Sequence, residues 1–290
     1  MTTPKIVVHQ TASLDGKLST APGVLLLFGD ERWQAVAGSD DEAYRRSRQL
    51  YQPQAILEGS GSFVLEGPFV PEGPFVPEAP SILEGLSIPE VPSDPGGPFV
   101  PEGEPFVLEG PLPPLDAGAL ESYQDYLPAS LTRLPDRRWF TVVDGRGRVR
   151  WSYKEFPGEE WLGWHLLVLV HHDTPPEYLA YLRRESIPYL VAGRGRVDLA
   201  AAFDKMASLL GVSCILSTAG GRLNGALLRA GLVDELLIDF FPALIGGRDT
   251  PCLFDVPPLQ DGQLPVRLEL LSVDSRAAGW VELRYRVLKP

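Results

Sequence analysis

The stretch Ser213–Gly247, SCILSTAGGRLNGALLRAGLVDELLIDFFPALIGG, decides how this chain folds. An apolar strand at Cys214, Ile215 and Leu216 runs into a small-residue turn, Ser217-Thr218-Ala219-Gly220-Gly221. The spacing then predicts a helix over about Arg222–Ala230 and a second strand over Val233–Phe241. Gly220 and Gly221 stand where the chain leaves a buried strand and enters a helix. The backbone can there lie close to a ligand and aim free N–H groups at an anion, although a tight strand–helix connection would use the same two residues. The spacing is not the G-x-G-x-x-G dinucleotide fingerprint with its downstream acid, so an ordinary Rossmann domain is not supported.

Working outward, Ile6–Ala12 alternates as a strand and delivers Ser-Leu-Asp-Gly-Lys at Ser13–Lys17, a carboxylate, a glycine and an ammonium at a sheet edge. A solvated Asp-Gly turn is the plain alternative. Glu42–Tyr51 is helical in pattern, with Ser39/Asp40 as its cap. Ala55–Glu58 is a short buried strand, followed by a second small-residue turn at Gly59-Ser60-Gly61-Ser62. Trp139–Asp144 and His165–His171 read as strands, Pro175–Glu185 as a helix and Tyr189–Ala192 as a strand. Asp198 caps a helix whose residues Leu199, Ala202, Phe203, Met206 and Leu210 form one apolar face ending at Gly211. Leu268–Val273 and Val281–Leu288, joined by a turn at Gly279, complete the chain as an antiparallel pair.

Strands alternating with helices and finishing in an antiparallel pair describe an α/β sandwich with a mainly parallel sheet. Ligands in such sheets bind at the carboxyl ends of the strands. Asp15, Ser62, Asp144 and Gly220 all fall at such ends, which points to one shared site.

The 290 residues, 44% hydrophobic, suffice for a full core. No apolar run has the length of a membrane span and the N-terminus lacks a signal-peptide pattern, so a cytoplasmic protein is expected. The net charge of −12 has one source: thirteen acids and no Lys or Arg lie between Gln49 and Thr132, while the rest is nearly neutral. That segment includes a six-residue repeat (FVLEGP, FVPEGP, FVPEAP and variants) at about 63–114, whose prolines exclude helix and interior strand. Its regular Phe-Val pairs suit an inserted arm lying on the body or on a partner subunit; a loosely held acidic tether is the alternative. So acidic a segment argues against nucleic acid as a partner. Cys214 and Cys252 read as buried inert thiols. His171 and His172 lack a third ligand nearby in sequence, and no metal site is expected.

ASLDGK, AILEGSGS, FTVVDGRGRV, PYLVAGRGRVDLAAAF and the long block from Ser217, in that order, resemble the riboflavin-pathway reductases, the RibD C-terminal group with a dihydrofolate-reductase-like fold. The resemblance covers most of the chain except about 64–137. It implies a single domain over 1–290, a three-layer α/β sandwich with a mainly parallel central sheet and an antiparallel C-terminal edge, interrupted by the repeat insert. It also implies NADPH-dependent hydride transfer to a phosphorylated ribosylaminopyrimidine, as in 5-amino-6-(5-phosphoribosylamino)uracil reductase, and a homodimer. A pterin or dihydrofolate reductase on the same fold, and a non-catalytic NADPH-binding or assembly protein that uses the repeat, are the alternatives.

Carried over by position, the resemblance makes Asp15 and Lys17 the catalytic candidates and places Thr11 and Ala12 beside the nicotinamide. Ser60 and Ser62 would touch the cofactor phosphates, and Gly220, Gly221, Arg222, Leu223, Asn224 and Gly225 would hold the pyrophosphate. Arg146 and Arg148 are candidates for the 2′-phosphate of NADPH, which a guanidinium binds as a fork. Thr218 and Arg48 would face a small heterocyclic substrate. Thr218 departs from the family pattern, which has an acid before the glycine pair; a threonine can hydrogen-bond but carries no charge at neutral pH.

Overall fold

The computed structural model describes residues 3–24, 30–37, 41–63, 123–132, 137–151 and 161–289. The Ser39/Asp40 cap and, apart from Phe63, the six-residue repeat lie outside the described residues.

Nine strands form one sheet among the described residues: β1 (Lys5–Ser13), β2 (Ala55–Gly59), β3 (Arg138–Val143), β4 (Trp164–Val170), β5 (Tyr189–Val191), β6 (Cys214–Ser217), β7 (Glu235–Phe241), β8 (Arg267–Ser275) and β9 (Val281–Leu288). Their order across the sheet is β5-β4-β3-β2-β6-β1-β7-β9-β8. The first seven run parallel, and β9 and β8 turn back antiparallel beside β7. This is the mixed α/β sheet of the dihydrofolate-reductase-like class. The parallel strands are covered on both faces, which is why β4 is apolar apart from His165 and is buried at every position.

Six α-helices are described: α1 (Glu31–Ala37), α2 (Asp41–Tyr51), α3 (Ala129–Thr132), α4 (Pro176–Arg184), α5 (Leu199–Leu210) and α6 (Gly221–Arg229). One face of the sheet packs Ile6, Val8, Leu57, Leu169 and Ile215 against Ala202, Phe203 and Met206 of α5 and Leu227 of α6. The other packs Ile56, Phe140, Val142, Leu166 and Val168 against Tyr178, Leu179, Tyr181 and Leu182 of α4. Each fully buried side chain of this size contributes about 1.5–3 kcal/mol. The two clusters therefore hold a sheet between helix layers, as a three-layer sandwich requires. α5 begins where its cap was expected, the Asp198 carboxylate accepting from the Ala201 N–H at 3.0 Å, and it ends at Gly211 in the left-handed region with φ 69°.

Element ends move by one to three residues from expectation. The second strand of the opening stretch starts at Glu235, not Val233, and α6 starts at Gly221. Two residues differ in kind. Phe63, the first residue of the repeat, is a core residue, 2% exposed and edge-on to Trp151 at 5.2 Å. Cys252 is partly exposed, unlike the buried Cys214, although an isolated bridge ties it to Lys17 and its carbonyl lies against Gly221. Burial raises the Cys214 thiol to about 11, which keeps it inert.

The two edges of the sheet are treated differently. Tyr126 exchanges backbone hydrogen bonds with Tyr189 at 2.9 Å in both directions, so residues around it cover the β5 edge. On β8, Leu268, Leu270 and Val273 are 41%, 51% and 55% exposed.

Candidate functional site

Four adjacent parallel strands, β3, β2, β6 and β1, end along one edge of the sheet. The turns that leave them carry the residues singled out above: Asp144 follows β3, Ser60–Ser62 follow β2 as a single 3₁₀ turn, Thr218–Gly221 follow β6, and Asp15 follows β1. The predicted convergence is a property of the register, since Leu57 of β2 and Val8 of β1 both pair with Ser217 of β6.

The Gly220–Gly225 segment divides its labour. Gly220 is the N-cap of α6 and no side chain caps the helix, so the first N–H groups of α6 are left to an anion or water. The close approach that Gly221 permits is to its own chain, because a Cβ there would lie 2.0 Å from the Cys252 carbonyl oxygen. Gly225 likewise abuts the Asp255 carbonyl, where a Cβ would lie at 2.6 Å. Asn224, fully buried, accepts from the Ser217 hydroxyl at 2.8 Å and donates to the Ala219 carbonyl at 2.6 Å. Arg222 pairs with Asp255 at 3.5 Å, and Leu223 packs on the core. Only the Gly220–Gly221 end of this segment therefore faces the strand-end edge as a seat.

Two of the proposed phosphate contacts meet. Arg148 donates from Nη2 to the Ser60 hydroxyl at 2.9 Å, which brings a guanidinium from the β3 turn onto the β2 turn. Asp144 shapes the β3 turn, its Oδ2 accepting from the Val149 N–H at 2.9 Å. Arg146 is exposed on that turn.

Asp15 and Lys17 are committed to one neighbouring segment. The Asp15 carboxylate accepts from the Ser13 hydroxyl at 2.6 Å and from the N–H groups of Ile245 and Gly246 at 3.1 and 2.7 Å. The Ser13 hydrogen bond, with those two amides, lowers its pKa to about 2. Lys17 donates to the Gly247 and Thr250 carbonyls at 2.7 and 3.3 Å. Both side chains fasten residues 245–250 beside the end of β1.

The residue that sequence reasoning missed is Glu58. Its carboxylate is 6% exposed and receives the hydroxyls of Ser62, at 2.9 Å, and of Thr218. Desolvation raises its pKa to about 7 against the opposing hydrogen bonds from Thr218 and Ser62. The signal available in the sequence was an acid inside a short apolar strand, AILEG, where an uncharged residue would be routine.

A second polar group lies on the same sheet face, under α2. His9, fully buried on β1, meets Asp239 of β7 at 3.1 Å. Arg46 of α2 donates to the other Asp239 oxygen at 3.1 Å and pairs with Glu282 of β9 at 3.4 Å. Tyr44 stands edge-on to the His9 ring at 5.2 Å. His9 Nδ1 and Thr11 Oγ1 are buried without a hydrogen-bond partner among the described residues. Buried polar atoms are seldom left this way, and a ligand entering beside β1 would satisfy them. Ala12 is fully buried next to them, whereas Arg48 lies over the Trp161 ring at 4.9 Å.

The histidine pair at the end of β4 has local duties. His171 Nδ1 accepts from the Asp173 N–H at 3.0 Å, and His172 stacks on Tyr123 at 6.1 Å. No group of three or more His, Cys, Asp or Glu among the described residues could hold a metal ion, and none of the described helices is long and apolar enough to cross a membrane.

Comparison with known proteins gives three results. Residues 140–281 match the RibD C-terminal domain. The chain is 35% identical over 101 residues to the 2,5-diamino-6-ribosylamino-4(3H)-pyrimidinone 5′-phosphate reductase of Methanothermobacter thermautotrophicus, covering 35% of this chain and 46% of that protein. It is 32% identical over 114 residues to the protein of the same name from Archaeoglobus fulgidus, covering 39% and 49%. The matched region thus spans about half the length of these curated relatives. Among solved structures, a pyrimidine reductase-like protein from Corynebacterium diphtheriae superposes with a TM-score of 0.58 at 16% identity, covering 99% of this chain and 93% of that one. Acinetobacter baumannii RibD superposes with a TM-score of 0.54 at 17% identity, covering 99% and 58%. At these identities the two structures speak for the fold.

Proposed function

We propose that this chain, whose residues 140–281 match the RibD C-terminal domain, is an NADPH-dependent reductase of a phosphorylated ribosylaminopyrimidine in riboflavin biosynthesis. The observation that carries the reading is the convergence of four strand ends with the uncapped start of α6 and the Arg148–Ser60 contact. Free N–H groups, hydroxyls and a guanidinium at one sheet edge are anion-binding chemistry.

The donor set fits a dinucleotide phosphate. The α6 N-terminus would receive the pyrophosphate, Ser60 and Ser62 would add hydroxyls, and Arg148, with Arg146 beside it, would receive the 2′-phosphate. When bound, the nicotinamide supplies a hydride. The chain's own part is to orient it against the end of β1 near Thr11 and Ala12. Asp15 and Lys17 would keep residues 245–250 closed over the substrate side, where Thr218 and Arg48 are the further candidates. The protein would act as a homodimer, with the exposed β8 edge as the surface available for self-association.

The test is a fluorescence titration with NADPH and NADH, repeated with Arg148→Ala, followed by NADPH oxidation with the phosphoribosyl substrate and, as control, with dihydrofolate. Loss of a charge-assisted contact should weaken NADPH about ten- to a hundredfold and NADH much less. Failure of the protein to bind either nucleotide, or turnover with dihydrofolate alone, would overturn the reading.

A further inference from the structure

Glu58 holds the donors that an incoming phosphate would need. Its carboxylate, at the carboxyl end of β2, takes the hydroxyl of Ser62 from the turn after β2 and that of Thr218 from the turn after β6. An ionised carboxylate only accepts hydrogen bonds, so both hydroxyls must point at it. A protonated Glu58 becomes a donor and leaves at least one hydroxyl able to turn toward a ligand.

No cation neutralises this carboxylate among the described residues. On the neighbouring elements, Arg148 reaches Ser60, Asp144 is bound by the Val149 N–H, and His9 faces Asp239, which faces Arg46. Buried charge without a counter-ion is costly, and a phosphate placed beside it adds repulsion in a poorly screened setting.

We infer that Glu58 is a positioning residue whose protonation is coupled to filling of the seat: the cofactor's phosphates bind as Glu58 takes up one proton from solvent and releases its hold on Ser62 and Thr218. The inference rests on the reductase reading and adds a proton to its binding step. Because this acid titrates at about 7, the coupling would operate near neutral pH. Above that value each bound cofactor must bring its proton from an ever rarer supply.

The probe is NADPH, bound to the cofactor-free protein. Calorimetric titration at pH 7.5 in PIPES and in Tris, which hold no phosphate and whose ionisation enthalpies differ, counts protons taken up. The wild-type protein should take up a substantial fraction of one proton more than Glu58→Gln. Its Kd should also rise toward tenfold per pH unit above 7, while that of Glu58→Gln stays flat. Thr218→Val, which removes a hydrogen bond favouring the charged form, should move the break in the wild-type profile to higher pH. Proton counting on the wild-type protein needs no variant to fold. NADPH binding without buffer-dependent heat, or with an unchanged pH profile in Glu58→Gln, would overturn the inference and leave the reductase reading standing; absence of NADPH binding would overturn both.

Discussion

Thr218, the first residue after β6, donates its hydroxyl to the Glu58 carboxylate of the adjacent strand β2, 160 positions away in sequence. The parallel pairing of Leu57 with Ser217 sets the contact by bringing the two strand ends level. A threonine standing where the family pattern has an acid is thus backed by an acid from the next strand.

Glu58→Gln should stabilise the protein at high pH. The Glu58 pKa is raised from 4.5 to about 7, so the folded chain keeps a proton that the unfolded chain gives up. Stability falls as pH rises from about 4.5, and the cost is complete above about 7. Urea unfolding at pH 8 should show Glu58→Gln more stable by about 3 kcal/mol, a gain that disappears near pH 4.5. Equal stability of the two proteins at pH 8 would mean that the carboxylate is not held in a poorly solvated place.

Gly221→Ala should destabilise the fold irrespective of any ligand. The added Cβ would meet the Cys252 carbonyl at 2.0 Å, and carbonyl and helix must separate. A loss of about 1–3 kcal/mol is expected, as for other overpacked sites. Gly61→Ala is the control, since nothing lies within 4 Å of its Cβ position. Thermal melts of both variants decide the point; an unchanged Gly221→Ala would show that the segment at Cys252 yields freely.

Asp15→Asn should loosen residues 245–250 without unfolding the sheet. The carboxylate binds the Ile245 and Gly246 amides, and the amide replacement accepts more weakly and can present only one oxygen. Hydrogen exchange at Ile245 and Gly246 should quicken severalfold while β1 and β7 keep their protection. In the wild type the low pKa of Asp15, about 2, places the same loosening in acid: the fastening is intact above the ordinary pKa of 3.8 and is lost as pH falls through 2.

Arg46→Ala should cost about 2–3 kcal/mol, because it leaves the Asp239 carboxylate, 1% exposed, facing only His9. Adding Asp239→Asn should recover part of that loss, and chemical denaturation of the four proteins of the cycle measures the coupling. Simple additivity of the two changes would show that the pair does not interact.

The sequence by itself determined the order of strands and helices, the parallel body with its antiparallel end, and the turns at which a site could lie. These follow from short-range causes: apolar runs of strand length, an Asp cap and a Gly stop on α5, and small residues where strands end. It also singled out Ser62 and Thr218. It did not reveal what they touch. Glu58 and Thr218, like His9 and Asp239, meet only because β2 pairs with β6 and β1 with β7, and strand order is set by packing between residues far apart in the chain. The same holds for the close approach of Gly221 and Gly225 to the carbonyls of Cys252 and Asp255, which nothing along the chain announces. Local pattern records which face of an element is buried, whereas the partner across that face, and with it the charge on Glu58, is decided by tertiary structure.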